Sequence, residues 1–217
     1  MFEEVKFILN EKIAELLQPK PIATVIALIL LAAILIVISR KTHYNVRTLT
    51  YGALAIAASF ILSYIKIFSL PYGGTITLAS MLPMFIFAYI AGPRAGLRAG
   101  MSYGVLQYIQ EPFFVHWAQF LLDFPLAFSL LGLAGLFRKN HYLGALVGSM
   151  ARFVCHFLSG VVFFASYAGE QNVFVYSFMY NMSYILPDVL ICMAALAIPG
   201  VKNMIKRLTH LSAESAA

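Results

Sequence analysis

The chain reads as an all-α membrane protein, and three observations predict it. Of its 217 residues, 61% are hydrophobic and only 11% charged, against about 25% charged in a soluble domain. The mean hydropathy is +0.84. The apolar residues also fall into runs, most of them long enough to cross a bilayer, for which about 20 residues are needed. The short loops between them carry most of the basic side chains. A net charge of +6 spread in this way orients helices in a membrane and does not point to nucleic acid. No separate soluble domain is legible. Cys155 and Cys192 sit inside apolar runs, where they read as small packing residues and not as a disulfide or metal site.

Taken in order, residues 1–20 read as an amphipathic surface helix. Phe2, Val5, Leu9, Ile13 and Leu16 keep helical spacing, and Pro19 and Pro21 end it. Residues 22–39 form an apolar span, so 1–46 is an appendix to a core over 47–208, with 209–217 as a cytoplasmic tail. Residues 49–68 form the next span. Its Ala53 and Ala57, four apart, let another helix approach closely, either inside the bundle or on a partner protein. Pro and Gly make residues 70–77 a loop. Residues 78–91 follow, with a kink expected at Pro83. Residues 95–109 carry Gly96, Gly100 and Gly104, a stripe for internal packing.

Residues 116–138 hold the feature around which the rest is organised. Asp123 lies within this span, and a carboxylate at membrane depth costs at least about 2.5 kcal/mol. Gln119 is one turn earlier on the same face. Residues 143–167 form a span with Arg152 and His156 four apart, then Gly160. Residues 173–198 form the last, with Tyr176, Asn181 and Asp188, and Pro199-Gly200 stops it. The count is seven spans. Basic residues alternate between loops so as to place the C-terminus in the cytoplasm and the N-terminus outside.

Asp123, His156, Tyr176 and Asn181 then fall at one depth on three helices, as one wall of an outward-facing cavity. Such a set suits a flat, nitrogen-rich cation. The acid neutralises charge, His156 and Asn181 donate and accept, and Phe113, Trp117 and Phe164 offer ring faces. Gly160 allows close approach of a ligand to the backbone. Arg152 has Asp188 as a candidate partner. Two other classes compete, a proton-coupled carrier and an intramembrane hydrolase. Internally repeated halves, the usual sign of a carrier, are not visible, and neither G-x-S-x-G nor H-E-x-x-H occurs. The phosphate-loop motif is missing too, so any ATP hydrolysis must come from elsewhere.

Several stretches together carry a resemblance. These are Leu70-Pro-Tyr-Gly-Gly-Thr-Ile-Thr-Leu, Gln119-Phe-Leu-Leu-Asp-Phe-Pro-Leu-Ala-Phe, Gly132-Leu-Ala-Gly-Leu-Phe-Arg, and His156-Phe-Leu-Ser-Gly160 with Tyr176 to Asn181. From about Arg47 to Arg207 the chain resembles the thiamine-specific substrate-binding components (S-components) of energy-coupling factor transporters. The resemblance implies a six-helix core, here with one extra N-terminal transmembrane helix, that binds thiamine from outside. It implies association with a coupling membrane protein and two ATPase subunits, no enzymatic activity and no cofactor. It assigns Asp123, His156, Gly160, Tyr176 and Asn181 to ligand-binding positions. Phe164 stands where a stacking Trp is found in relatives and Phe113 where a Tyr is found, and Trp117 offers compensation. It also favours partner docking for Ala53 and Ala57.

Overall fold

The computed structural model describes residues 19–39 and 45–214. Among them the chain is helical apart from one short hairpin. The elements are α1 (Pro19–Ser39), α2 (Val46–Ser63), β1 (Lys66–Ser69), β2 (Thr75–Thr77), α3 (Leu82–Ala91), α4 (Pro93–Gln110), α5 (Trp117–Phe137), α6 (His141–Phe163), α7 (Val173–Ala197) and α8 (Pro199–Glu214). Helices α2 to α7 make the six-helix core, and α1 is the additional N-terminal helix. Among the described residues α2, α5, α6 and α7 are long and apolar enough to cross a membrane. The side chains of Asn45, His116, Asn140 and Asn172 cap the amide ends of α2, α5, α6 and α7, which sets where these helices begin.

Several boundaries differ from the sequence expectation. The surface helix expected over 1–20 lies outside the described residues up to position 18, and Pro19 and Lys20 open α1. Prolines fit a first helical turn, where no amide partner is required. The span expected over 49–68 ends at Ser63. Lys66 to Ser69 pair instead with Thr75 to Thr77 in an antiparallel hairpin. The stretch read as a loop is therefore its turn and second strand, closed by Leu70 N donating to Gly74 O at 2.7 Å. Pro83 makes no kink, because α3 starts at Leu82 and Pro83 occupies the first turn. Pro199 ends α7 but opens α8, and residues 209–214 continue that helix.

The core is built on close contact. Helix α3 is ten residues long and is enclosed by α2, α4, α5 and α8. Its Met84, Phe85, Ala88 and Tyr89 are at most 1% exposed. The α4 glycine stripe lies against α5: a Cβ on Gly100 would stand 2.9 Å from Ser129 Cα. Only glycine lets the two backbones meet there. The fully buried Tyr103 satisfies its hydroxyl on Ser59 O at 3.2 Å and sets its ring edge-on to Phe128. Helix α1 packs against α4, α5 and α6. Its buried Ala27 and Ile34 pack with Ala118, Leu122, Leu126 and Cys155, and the Arg98 side chain donates to Ile38 O.

Helix α5 changes pitch along its length. It is α-helical over Trp117–Leu121, widens into a π turn over Leu122–Leu126, and tightens to 3₁₀ over Leu130–Phe137. Pro125 is the local cause. Inside a helix its ring would strike the carbonyl four residues back, and it offers no amide. A widened turn accommodates both defects, and such turns cluster at functional sites. This one carries Asp123.

Candidate functional site

A cavity of about 290 Å³ opens between the hairpin, the end of α4, α5, α6 and α7. Asp123 is its centre. The carboxylate, 14% exposed, takes three contacts. Gln119 Nε2 donates to Oδ2 at 2.9 Å, Ser159 Oγ donates to Oδ2 at 2.8 Å, and His156 Nδ1 stands 3.0 Å from Oδ1. On the other ring nitrogen, Arg152 Nε donates to His156 Nε2 at 3.2 Å. A guanidinium has no acceptor, so Nε2 accepts and Nδ1 carries the proton given to Asp123. Arg152 is in turn 3.9 Å from Asp188, the pairing expected from their sequence positions. Among the described residues no group of three His, Cys, Asp or Glu could hold a metal ion.

Helix α7 supplies the opposite wall. Asn181 Nδ2 donates to Ser177 O at 2.9 Å and to His156 O at 3.3 Å, tying α7 to α6. Its Oδ1 accepts from Tyr184 at 2.8 Å. Tyr180 donates to Pro71 O and accepts from Gly74 N, which fastens the hairpin turn to α7. Gly160 lines the cavity, but its tightest neighbour is Ser177. Its lack of a side chain therefore serves the α6–α7 contact as well as the cavity.

Aromatic rings form an arc at the loop end. Phe113 and Phe164 stack on each other, centroids 5.7 Å apart and planes 26° from parallel. Phe164 meets Tyr167 at 5.9 Å, and Tyr167 meets Tyr72 at 4.4 Å. Tyr72 occupies the left-handed region at φ 67°, an uncommon place for a bulky residue, at the tip of the hairpin. A polar floor under an aromatic rim suits a flat cationic ring with hydrogen-bonding edges.

A family model described as "Thiamine transporter protein (Thia_YuaJ)" matches residues 49–207. The chain belongs to this family. Helix α1 precedes the matched stretch. The chain is 32% identical over 166 residues to "Thiamine transporter ThiT" of Bacillus subtilis, covering 67% of this chain and 86% of that protein. It is 30% identical over 122 residues to ThiT of Lacticaseibacillus paracasei, covering 46% and 61%. The fold is similar to the solved structure of ThiT from Listeria monocytogenes, with a TM-score of 0.66 at 24% identity, covering 76% of this chain and 99% of that one.

In this member of the family, Asp123, His156, Gly160, Tyr176, Asn181, Phe164, Phe113 and Gln119 all line the cavity. Trp117 does not. It is 71% exposed and packs edge-on against Phe114 and Phe120 on the outer surface. It is the first residue of α5, next to the His116 cap, and stands two positions before Gln119, so the helix points it to the side opposite the cavity. Ala53 and Ala57 lie exposed on α2. Several lining residues escaped the sequence reading: Tyr72, Glu111, Phe124, Tyr167 and Tyr180. The signal for Phe124 was Pro125 beside it. Tyr72 is brought in by the hairpin turn, whereas Glu111 caps the end of α4 and pairs with the hairpin's Lys66.

Proposed function

We propose that this chain binds thiamine from the outer side of the cell membrane and serves as the substrate-binding component of an energy-coupling factor transporter. The observation that carries the reading is Asp123: a carboxylate on a widened helical turn, pre-oriented by three partners, beneath an arc of aromatic rings, in a member of the thiamine transporter family. Thiamine offers a thiazolium cation for the acid and the rings, and an aminopyrimidine whose edges exchange hydrogen bonds with groups such as Asn181 and Tyr176. The chain carries no phosphate-loop motif, so uphill uptake requires a coupling membrane protein and two ATPase subunits. The exposed Ala53 and Ala57 suit the docking of a coupling helix. The cavity faces outward, with the basic residues of α8 on the cytoplasmic surface.

The test is calorimetric titration of the purified protein in detergent with thiamine, thiamine monophosphate and the hydroxymethylpyrimidine fragment. Saturable one-to-one binding of thiamine, tighter than of the fragment, is expected. Tighter binding of either competitor would reassign the substrate. ATP-independent accumulation by the protein alone in vesicles would favour a proton-coupled carrier instead.

A further inference from the structure

A guanidinium stands in the wall of a cavity assigned to a cation. Arg152 lines the cavity, is 9% exposed, and lies 4.4 Å over the Phe128 ring. Alone, its charge would cancel that of Asp123 two steps along the relay through His156. Behind it, however, stands Asp188, which is 2% exposed and is not among the lining residues. Asp188 faces the guanidinium at 3.9 Å. Its other oxygen accepts from the Thr77 hydroxyl at 3.0 Å and the Thr77 amide at 3.4 Å. At the rim, Lys66 and Glu111 balance each other. Asp123 and Asp188 against Arg152 leave one net negative charge around the cavity. With Asp188 neutral, nothing would remain.

We propose that Asp188 is a specificity-determining residue of this site. From behind Arg152 it cancels the guanidinium, so that Asp123 presents an uncompensated charge and the cavity selects a monocation over its neutral isostere. The inference rests on the reading of the cavity as a thiamine site. It differs from a merely structural role of the buried pair, which would affect charged and uncharged ligands alike.

The experiment compares two probes on each variant. One is thiamine. The other is its isostere with thiophene in place of the thiazolium, which keeps the shape and the aminopyrimidine but lacks the charge. A unit charge acting at about 10 Å through a medium of effective dielectric about 20 changes affinity for a cation roughly tenfold. Asp188→Asn is expected to lower the thiamine-to-isostere affinity ratio about tenfold, and Arg152→Gln to raise it by a similar factor. Damage to the cavity weakens both probes and leaves the ratio alone. An unchanged ratio in either variant overturns the proposal. If Asp188→Asn does not fold, Arg152→Gln decides it in the opposite direction. Thr77→Val alters the support of Asp188 without removing a charge, so a ratio that falls as far there as in Asp188→Asn would assign the effect to the hairpin and overturn the proposal. A parent protein that binds neither probe would overturn the thiamine reading and this inference together, whereas a parent that binds thiamine with variants of unaltered ratio would overturn the inference alone.

Discussion

Gln119 clamps Asp123 from one turn away. Its Nε2 donates to Asp123 Oδ2 at 2.9 Å and to Phe113 O at 3.2 Å, while its Oε1 accepts from Val115 N at 3.1 Å. One amide thus joins the acid to the loop that delivers Phe113. Gln119→Leu should release both at once. A hydrogen bond to a charged group contributes about 1.5 to 3 kcal/mol, so thiamine affinity is expected to fall at least about tenfold, with Gln119→Glu failing to rescue it. Equal affinity in Gln119→Leu, read by calorimetry, would make the clamp dispensable.

Asp123→Asn keeps the shape and removes the charge, and thiamine affinity is expected to fall about tenfold to a hundredfold. Asp123→Glu should be tolerated better, because the widened turn leaves the carboxylate beside the cavity. Unaltered binding by Asp123→Asn would make the acid a purely structural partner of His156 and Ser159.

Asp123 was legible in the sequence because a carboxylate inside an apolar run has few reasons to exist. Of the nine residues the sequence assigns to the site, Asp123 among them, eight line the cavity. Helical spacing fixes which residues share a face, and α6 and α7 are regular along the relevant stretches. Trp117 fails by that same logic, because it stands two positions before Gln119 and a helix sets such a pair on opposite sides. Tyr72, Tyr167 and Glu111 escaped it because hairpin and turn geometry, not periodicity, carries them over the cavity. The widened turn was announced only by Pro125, a residue equally compatible with a simple kink.

Gly160→Ala tests how closely α6 and α7 must approach. The new Cβ would collide with Ser177 Oγ and stand 3.3 Å from Asn181 Nδ2, while Ser177 is held by its bond to Phe157 O at 2.8 Å. The variant is expected to lose thermal stability and about tenfold or more in affinity, as overpacking costs about 1 to 3 kcal/mol. Adding Ser177→Ala should restore part of both. No recovery in the double variant would place the strain elsewhere.

Ala53→Leu and Ala57→Leu enlarge an exposed face of α2, and neither position lines the cavity. Thiamine binding by the isolated protein is expected to stay within about twofold, while ATP-driven uptake with the coupling module falls severely. Binding that falls in parallel with uptake would return these alanines to internal packing.

Topology is open to a direct chemical test. Cys155 and Cys192 are buried and leave the background quiet. In the orientation proposed above, Glu214→Cys should resist a membrane-impermeant thiol reagent in intact cells and react after permeabilisation. Labelling of intact cells would invert the assignment.

Helix α1 changes what the substrate-binding wall has for surroundings. With Ala27 and Ile34 packed with Leu122, Leu126 and Ala118, α1 covers this side of the π turn. Bilayers thin and thicken with their lipid chains, and helices in the path of that change tilt or bend in response. A helix placed there is expected to take up part of the deformation before it reaches the turn. The geometry around Asp123 is then expected to be insulated from membrane composition, and affinities measured in short-chain and long-chain nanodiscs should agree.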